Sequence, residues 1–115
     1  MVEIKPQGIK GKVIISKDVL ANIAGSAALE VEGVAAPTDA QFEFMLPRKY
    51  PRRQYRWVKI DYDEKLEITL SIHVRTGFKV ISVSEEIQQK VKNEIETMTG
   101  LDVFTVNITA LGVAA

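Results

Sequence analysis

The side chains best suited to recognising a charged partner lie in one run, RKYPRRQYRWVK, from Arg48 to Lys59. Within it Arg48, Lys49, Arg52, Arg53 and Arg56 interleave with Tyr50, Tyr55 and Trp57. Guanidinium groups beside aromatic rings suit single-stranded nucleic acid, because the charges meet phosphates and the rings stack on bases. The same side chains suit anionic lipid headgroups. They also suit an acidic surface on another protein, including a second copy of this chain. The plain alternative is a solvated loop whose arginines pair locally with Asp39, Glu43 or Asp61. These eight residues are the candidate partner-binding site, and their composition leaves the partner open among protein, nucleic acid and membrane surface.

Groups able to do covalent chemistry are scarce. The chain has one histidine, His73, and no cysteine. Thiol catalysis, Cys-ligated zinc and disulfides are therefore excluded. His73 falls on the polar side of an alternating segment. No second His or Cys, and no carboxylate at a ligand-like spacing, stands by to complete a metal cluster or an acid/base pair. It reads as an exposed surface residue. There is no G-x-S-x-G elbow, and neither a phosphate loop nor a G-x-G-x-x-G motif. Glu85-Glu86 and Asp63-Glu64 read as helix-start charge and turn polarity. Asn107-Ile108-Thr109 matches the glycosylation triplet, but no secretion signal accompanies it. Gly8-Ile9-Lys10-Gly11 matches the G-x-x-G of RNA-binding KH domains. In those domains the tetrad joins two helices, so that backbone amides and a helix dipole clamp phosphates. Here it precedes the first strand, and the match reads as accidental. No catalytic residue, metal site or cofactor is expected; a deep polar pocket beside His73 would reopen the question of an enzyme.

The elements that position these residues follow from periodicity. In Ser82 to Val106, Ile87, Val91, Ile95 and Met98 form one apolar helical stripe. Ser82 or Ser84 can cap its start, Ser82-x-x-Glu85 has the capping-box spacing, and Glu85 and Glu86 fall in the expected first turn. Gly100 stands where the helix must turn left-handed. Phe104, Val106 and Ile108 then alternate with Thr105, Asn107 and Thr109 as a half-buried strand. Earlier, Lys12 to Ile15 reads as a short strand after a loose lead-in broken by Pro6 and Gly8. Ser16 is a good N-cap with Asp18 in the first turn. The helix it starts runs to Glu30, with Val19, Leu20, Ile23, Ala24 and Ala27 at helical spacing. Its small residues suit close packing on a sheet or helix, or on a helix of another subunit. Gly33 ends the segment.

Ala35 to Arg56 is irregular and holds three of the four prolines; Phe42, Phe44 and Leu46 could form a short strand. An irregular stretch this long in a compact domain is usually functional or mobile. Val58 to Tyr62, a turn at Asp63-Glu64-Lys65, and Leu66 to Val74 alternate as a hairpin with one buried and one wet face. The expected order is β-α-(insert)-β-β-α-β. This is an α+β domain with two helices on one face of a three- to four-stranded antiparallel or mixed sheet. The opposite face would carry Trp57, Lys59, Glu67, Thr69, Ser71, His73, Thr105 and Asn107, open to water or to a partner.

Length and charge bound the rest. A chain of 115 residues fits a single domain spanning 1–115, with the insert at 35–56, and buries enough surface to fold without staples. The net charge is zero, yet the run from Arg48 to Lys59 holds six bases and no acid, leaving nine bases against fifteen acids elsewhere. A neutral total thus hides an acidic body with one basic segment. MVEIKPQGIKGKV contains no long apolar run, and nothing approaches a membrane span. The expected location is cytoplasmic.

Several pieces together resemble the alkaline shock protein family, the envelope stress response proteins of Gram-positive bacteria. They are GKVIIS before the first helix, the Val31-x-Gly33-Val34 exit, the hairpin from Val58 to Val74, and EEIQQKVKNEIETMTGLDVFTVNITALGV. The likeness lapses in Ala35 to Arg56, where the family usually has a shorter, less basic link. The resemblance implies a cytoplasmic, non-enzymatic protein that self-associates, with some members held at the membrane by a small anchor protein. It also implies a link to cell-envelope homeostasis, and for some relatives to control of fatty acid synthesis. The expected function is a homo-oligomeric scaffold or adaptor using the basic-aromatic insert and the open sheet face. The alternative is a KH-like single-stranded nucleic-acid-binding module using the same insert.

Overall fold

A computed structural model describes residues 2–4, 13–37 and 56–114. The Gly8 to Gly11 tetrad, the strand expected at Phe42, Phe44 and Leu46, and the candidate residues Arg48, Lys49, Tyr50, Arg52, Arg53 and Tyr55 lie outside the described residues. The elements are β1 (Val2–Ile4), β2 (Val13–Ile15), α1 (Lys17–Leu29), β3 (Val34–Ala35), β4 (Val58–Tyr62), β5 (Leu66–Arg75), α2 (Val80–Thr99) and β6 (Val103–Ala114).

β5 is the axis of the main sheet. Leu66, Ile68, Leu70, Ile72 and Val74 are all buried, as are Val58 and Ile60 of β4. β4 and β5 pair antiparallel from Val58↔Leu70 to Tyr62↔Leu66 around the Asp63–Lys65 turn, as the alternation requires. β3 also pairs antiparallel with β5, Val34 opposite Val74. Ser71 N–H donates to Trp57 O (2.9 Å) and Arg75 N–H to Gly33 O (2.8 Å). Amides four residues apart on a strand point the same way, so β4 and β3 share one edge of β5, end to end. β6 takes the other edge in a parallel ladder along the whole of β5. The sheet is therefore mixed.

Both helices pack on the face made by the even-numbered residues of β5, and one core cluster joins them to it. Ser16 caps α1, its Oγ accepting from Val19 N–H at 3.2 Å. Leu20, Ala21, Ala24, Gly25, Ala27 and Ala28 form the buried side of α1, and the small size of the last five lets it lie against α2, β3 and β4. The plain reading of the alanine-rich helix holds.

Four expectations are corrected. The lead-in is not loose throughout, because Val2–Ile4 pairs antiparallel with β2, which joins this hairpin and not the main sheet. Pro6 and Gly8 fall between the two strands in sequence, where such residues separate strands without preventing their pairing. The irregular stretch starts later than Ala35, since Val34 and Ala35 are a strand. α2 starts at Val80, before either serine, with Lys79 as an N-cap lacking a side-chain bond and no acid in the first turn. That early start brings Val83 into the buried set Val83, Ile87, Val91 and Ile95. Burying a valine contributes roughly 1.5–3 kcal/mol, against about 1 kcal/mol for a serine cap, so packing wins. At the other end Met98 is 64% exposed and the buried stripe stops at Ile95.

The exit from α2 is as expected. Gly100 is left-handed at φ 76 and its N–H donates to Glu96 O at 3.0 Å. Thr99 Oγ1 donates to Ile95 O (2.6 Å) and accepts from Leu101 N–H (3.1 Å). Glu96 Oε2 accepts from Val103 N–H at 3.0 Å, which ties the start of β6 to the helix.

Candidate interaction face

The register assembles the open face row by row. Asp61, Glu67 and Thr105 lie side by side, then Lys59, Thr69 and Asn107, then Ser71 and Thr109, and finally Ala35, His73 and Gly112. One end is charged, with Lys59 Nζ 3.7 Å from Asp61 Oδ2 on the surface. The middle is made of short hydroxyl and amide side chains. At the far end Gly112 lies beside the imidazole, where an added Cβ would stand in ordinary contact, 3.5 Å from His73 Nδ1. Thr69, Ser71, His73 and Thr105 are half-buried and Lys59, Glu67 and Asn107 exposed. His73 is thus less exposed than expected, because Gly112 and the flanking strands cover part of its ring. Among the described residues no three His, Cys, Asp or Glu side chains stand close enough to share a metal ion. The face can donate and accept hydrogen bonds through its hydroxyl and amide side chains.

Trp57 departs from its expected place on this face. It is 7% exposed and belongs to the core cluster. It sits in a turn just before β4, where strand alternation no longer dictates the direction of a side chain. Arg56, the other described member of the basic-aromatic set, is half-buried, and its Nη1 is enclosed with no hydrogen-bond partner among the described residues. An unpaired buried donor is costly.

β6 holds what the sequence concealed. Its register with β5 slips twice: Leu66↔Val103 is followed by Glu67↔Thr105, and Ile72↔Ala110 by His73↔Gly112. Phe104 and Leu111 are the extra residues of two bulges, which re-aim side chains and break alternation. Val103 is therefore buried, and Phe104, expected inward, is 58% exposed with Lys65 Nζ 4.1 Å from its ring centroid. Gln88 of α2 donates to Val106 O at 3.0 Å, over the edge of the sheet. A residue-by-residue alternation carries no mark of a bulge; the adjacent apolar pair Val103-Phe104 is the only hint.

Two helices on one face of a mixed sheet, with a polar face opposite that no other described element covers, define an α+β domain. The chain belongs to the alkaline shock protein family, described as having a cell envelope-related function; the match spans residues 5–115. Relatives include two uncharacterized proteins of Bacillus subtilis. YqhY is 30% identical over 104 residues, covering 90% of this chain and 77% of the relative. YloU is 31% identical over 106 residues, covering 90% and 88%. Spy1614 of Streptococcus pyogenes, also uncharacterized, is 28% identical over 107 residues, covering 85% and 84%. No solved structure matches the chain. Among the described residues no helix is long and apolar enough to cross a membrane.

Proposed function

We propose that this protein is a non-enzymatic scaffold or adaptor that self-associates and serves cell-envelope homeostasis from the cytoplasmic side. Its partners are further copies of itself and a small membrane-anchored protein that brings it to the membrane. The observation that carries the reading is the open sheet face. A sheet with helices on one side leaves its other side for a partner, and here short uncharged polar side chains make the middle of that side less costly to desolvate than a charged surface. The family's envelope-related function supplies the setting. The basic segment, set against an acidic remainder, favours head-to-body contact between copies.

Size-exclusion chromatography with light scattering, run over a wide concentration range, tests this. The expected result is a species heavier than the 12.8 kDa monomer. Thr69→Arg, which plants a long charge in the centre of the face, should reduce it, and so should the Arg52→Glu, Arg53→Glu pair, which reverses two charges of the basic segment. A strict monomer at the highest concentrations would refute the proposal. Tight binding of single-stranded RNA at low salt, falling steeply as salt rises, would favour the nucleic-acid module instead.

A further inference from the structure

β6 is an edge strand among the described residues, pairing only with β5. It runs for twelve residues, VFTVNITALGVA, without one charge or proline. Natural edges are normally blunted by lysine, proline, bulges or a covering element, because an open ladder invites another strand. The opposite edge follows that rule: β4 carries Lys59 and Asp61, and β3 is two residues long. On β6 the bulges at Phe104 and Leu111 lie at the two ends, and between them Thr105 to Ala110 keeps an unbroken register with Glu67 to Ile72.

The direction of the free groups follows from that register. Odd residues of β5 bond toward β4 and β3, so even ones bond toward β6. In a parallel ladder the residue directly opposite turns its own amide and carbonyl away. Val106, Ile108 and Ala110, opposite Ile68, Leu70 and Ile72, therefore point outward. The Gln88 bond to Val106 O agrees, and it shows that an outside donor already reaches this edge.

We propose that β6 pairs antiparallel with β6 of a second copy about a two-fold axis at Ile108, joining two sheets into one. This rests on the self-association reading and adds to the sheet face a second surface, the β6 edge. Ile108 then faces Ile108, and Val106 faces Ala110, so all three outward positions both donate and accept. Asn107 comes opposite Thr109, two short polar side chains, and no like charges meet anywhere along the strand. A second copy fits this edge because the strand is complementary to itself under that rotation. Gln88 gives up Val106 O to the incoming strand.

Hydrogen exchange of the full-length wild-type chain, read per amide at low and high concentration, tests the pairing. The amides of Ile108 and Ala110 should slow by about tenfold or more as the chain associates. Ala110→Pro removes an outward donor and leaves the β5 ladder its bonds; it should weaken association by about tenfold or more with the circular dichroism of the folded chain unchanged. If the wild type associates while these amides exchange at the monomer rate, the edge pairing is overturned and self-association proceeds through another surface. If the wild type is monomeric throughout, the self-association reading and this inference fall together. Should Ala110→Pro not fold, the exchange of the wild-type amides decides.

Discussion

Gly33→Ala measures how tightly the turn after α1 is locked onto the start of α2. Gly33 has φ +92, and an added Cβ would lie 2.7 Å from both Cγ and Cδ1 of Phe78 and 3.1 Å from its Cβ. The left-handed backbone alone costs an L-residue roughly 1–2 kcal/mol. The contact falls about 1 Å inside the optimal carbon–carbon separation, and overpacking of that kind costs roughly 1–3 kcal/mol. Phe78 is 43% exposed, so its ring can swing outward and the lower half of that range applies. The expected total is about 2–4 kcal/mol. Gly100→Ala is the control: φ is +76 and nothing lies within 4 Å of the added Cβ, so only the backbone term of about 1–2 kcal/mol remains. In a Phe78→Ala background the Gly33→Ala cost should fall toward the control, giving a coupling of about 1–2 kcal/mol. Urea unfolding followed by Trp57 fluorescence reads this directly, since Trp57 is the one tryptophan and is buried. Equal costs for Gly33→Ala and Gly100→Ala, or an undiminished cost in the Phe78→Ala background, would refute the steric argument.

Ser16→Ala should destabilise the chain by roughly 0.5–2 kcal/mol by freeing the Val19 N–H, measurable in the same unfolding series. Ile87→Ala, at a fully buried position, should cost about 2–5 kcal/mol, whereas Met98→Ala, on the exposed last turn, should stay within about 0.5 kcal/mol. Lys90 Nζ lies 2.8 Å from Glu30 Oε2, and the hydrogen bond to Glu30 raises the lysine pKa above its ordinary value. A raised pKa means that any stability from the pair is complete below the unfolded value and is lost as pH climbs through the folded one. Lys90→Met should therefore flatten the fall in melting temperature at strongly alkaline pH; an unchanged alkaline limb would refute the linkage.

Local rules decided much of this molecule. Ser16, the hairpin from Val58 to Arg75 and the left-handed stop at Gly100 depend on near neighbours in sequence, and each appears where its residue types demand. The α+β class follows from them, because one apolar stripe per helix and one apolar face per strand leave few ways to bury both. The family likeness, too, was carried by short segments of sequence. Packing decided the rest. A start of α2 at Val80 instead of at a serine reflects the gain from burying Val83, which no capping rule contains. Trp57 belongs by sequence to the aromatic-basic run, but its side chain lies in the core. The bulges at Phe104 and Leu111 arise from matching two strands of unlike spacing across a ladder. Such a fit is a property of the pair, and neither strand's sequence shows it alone.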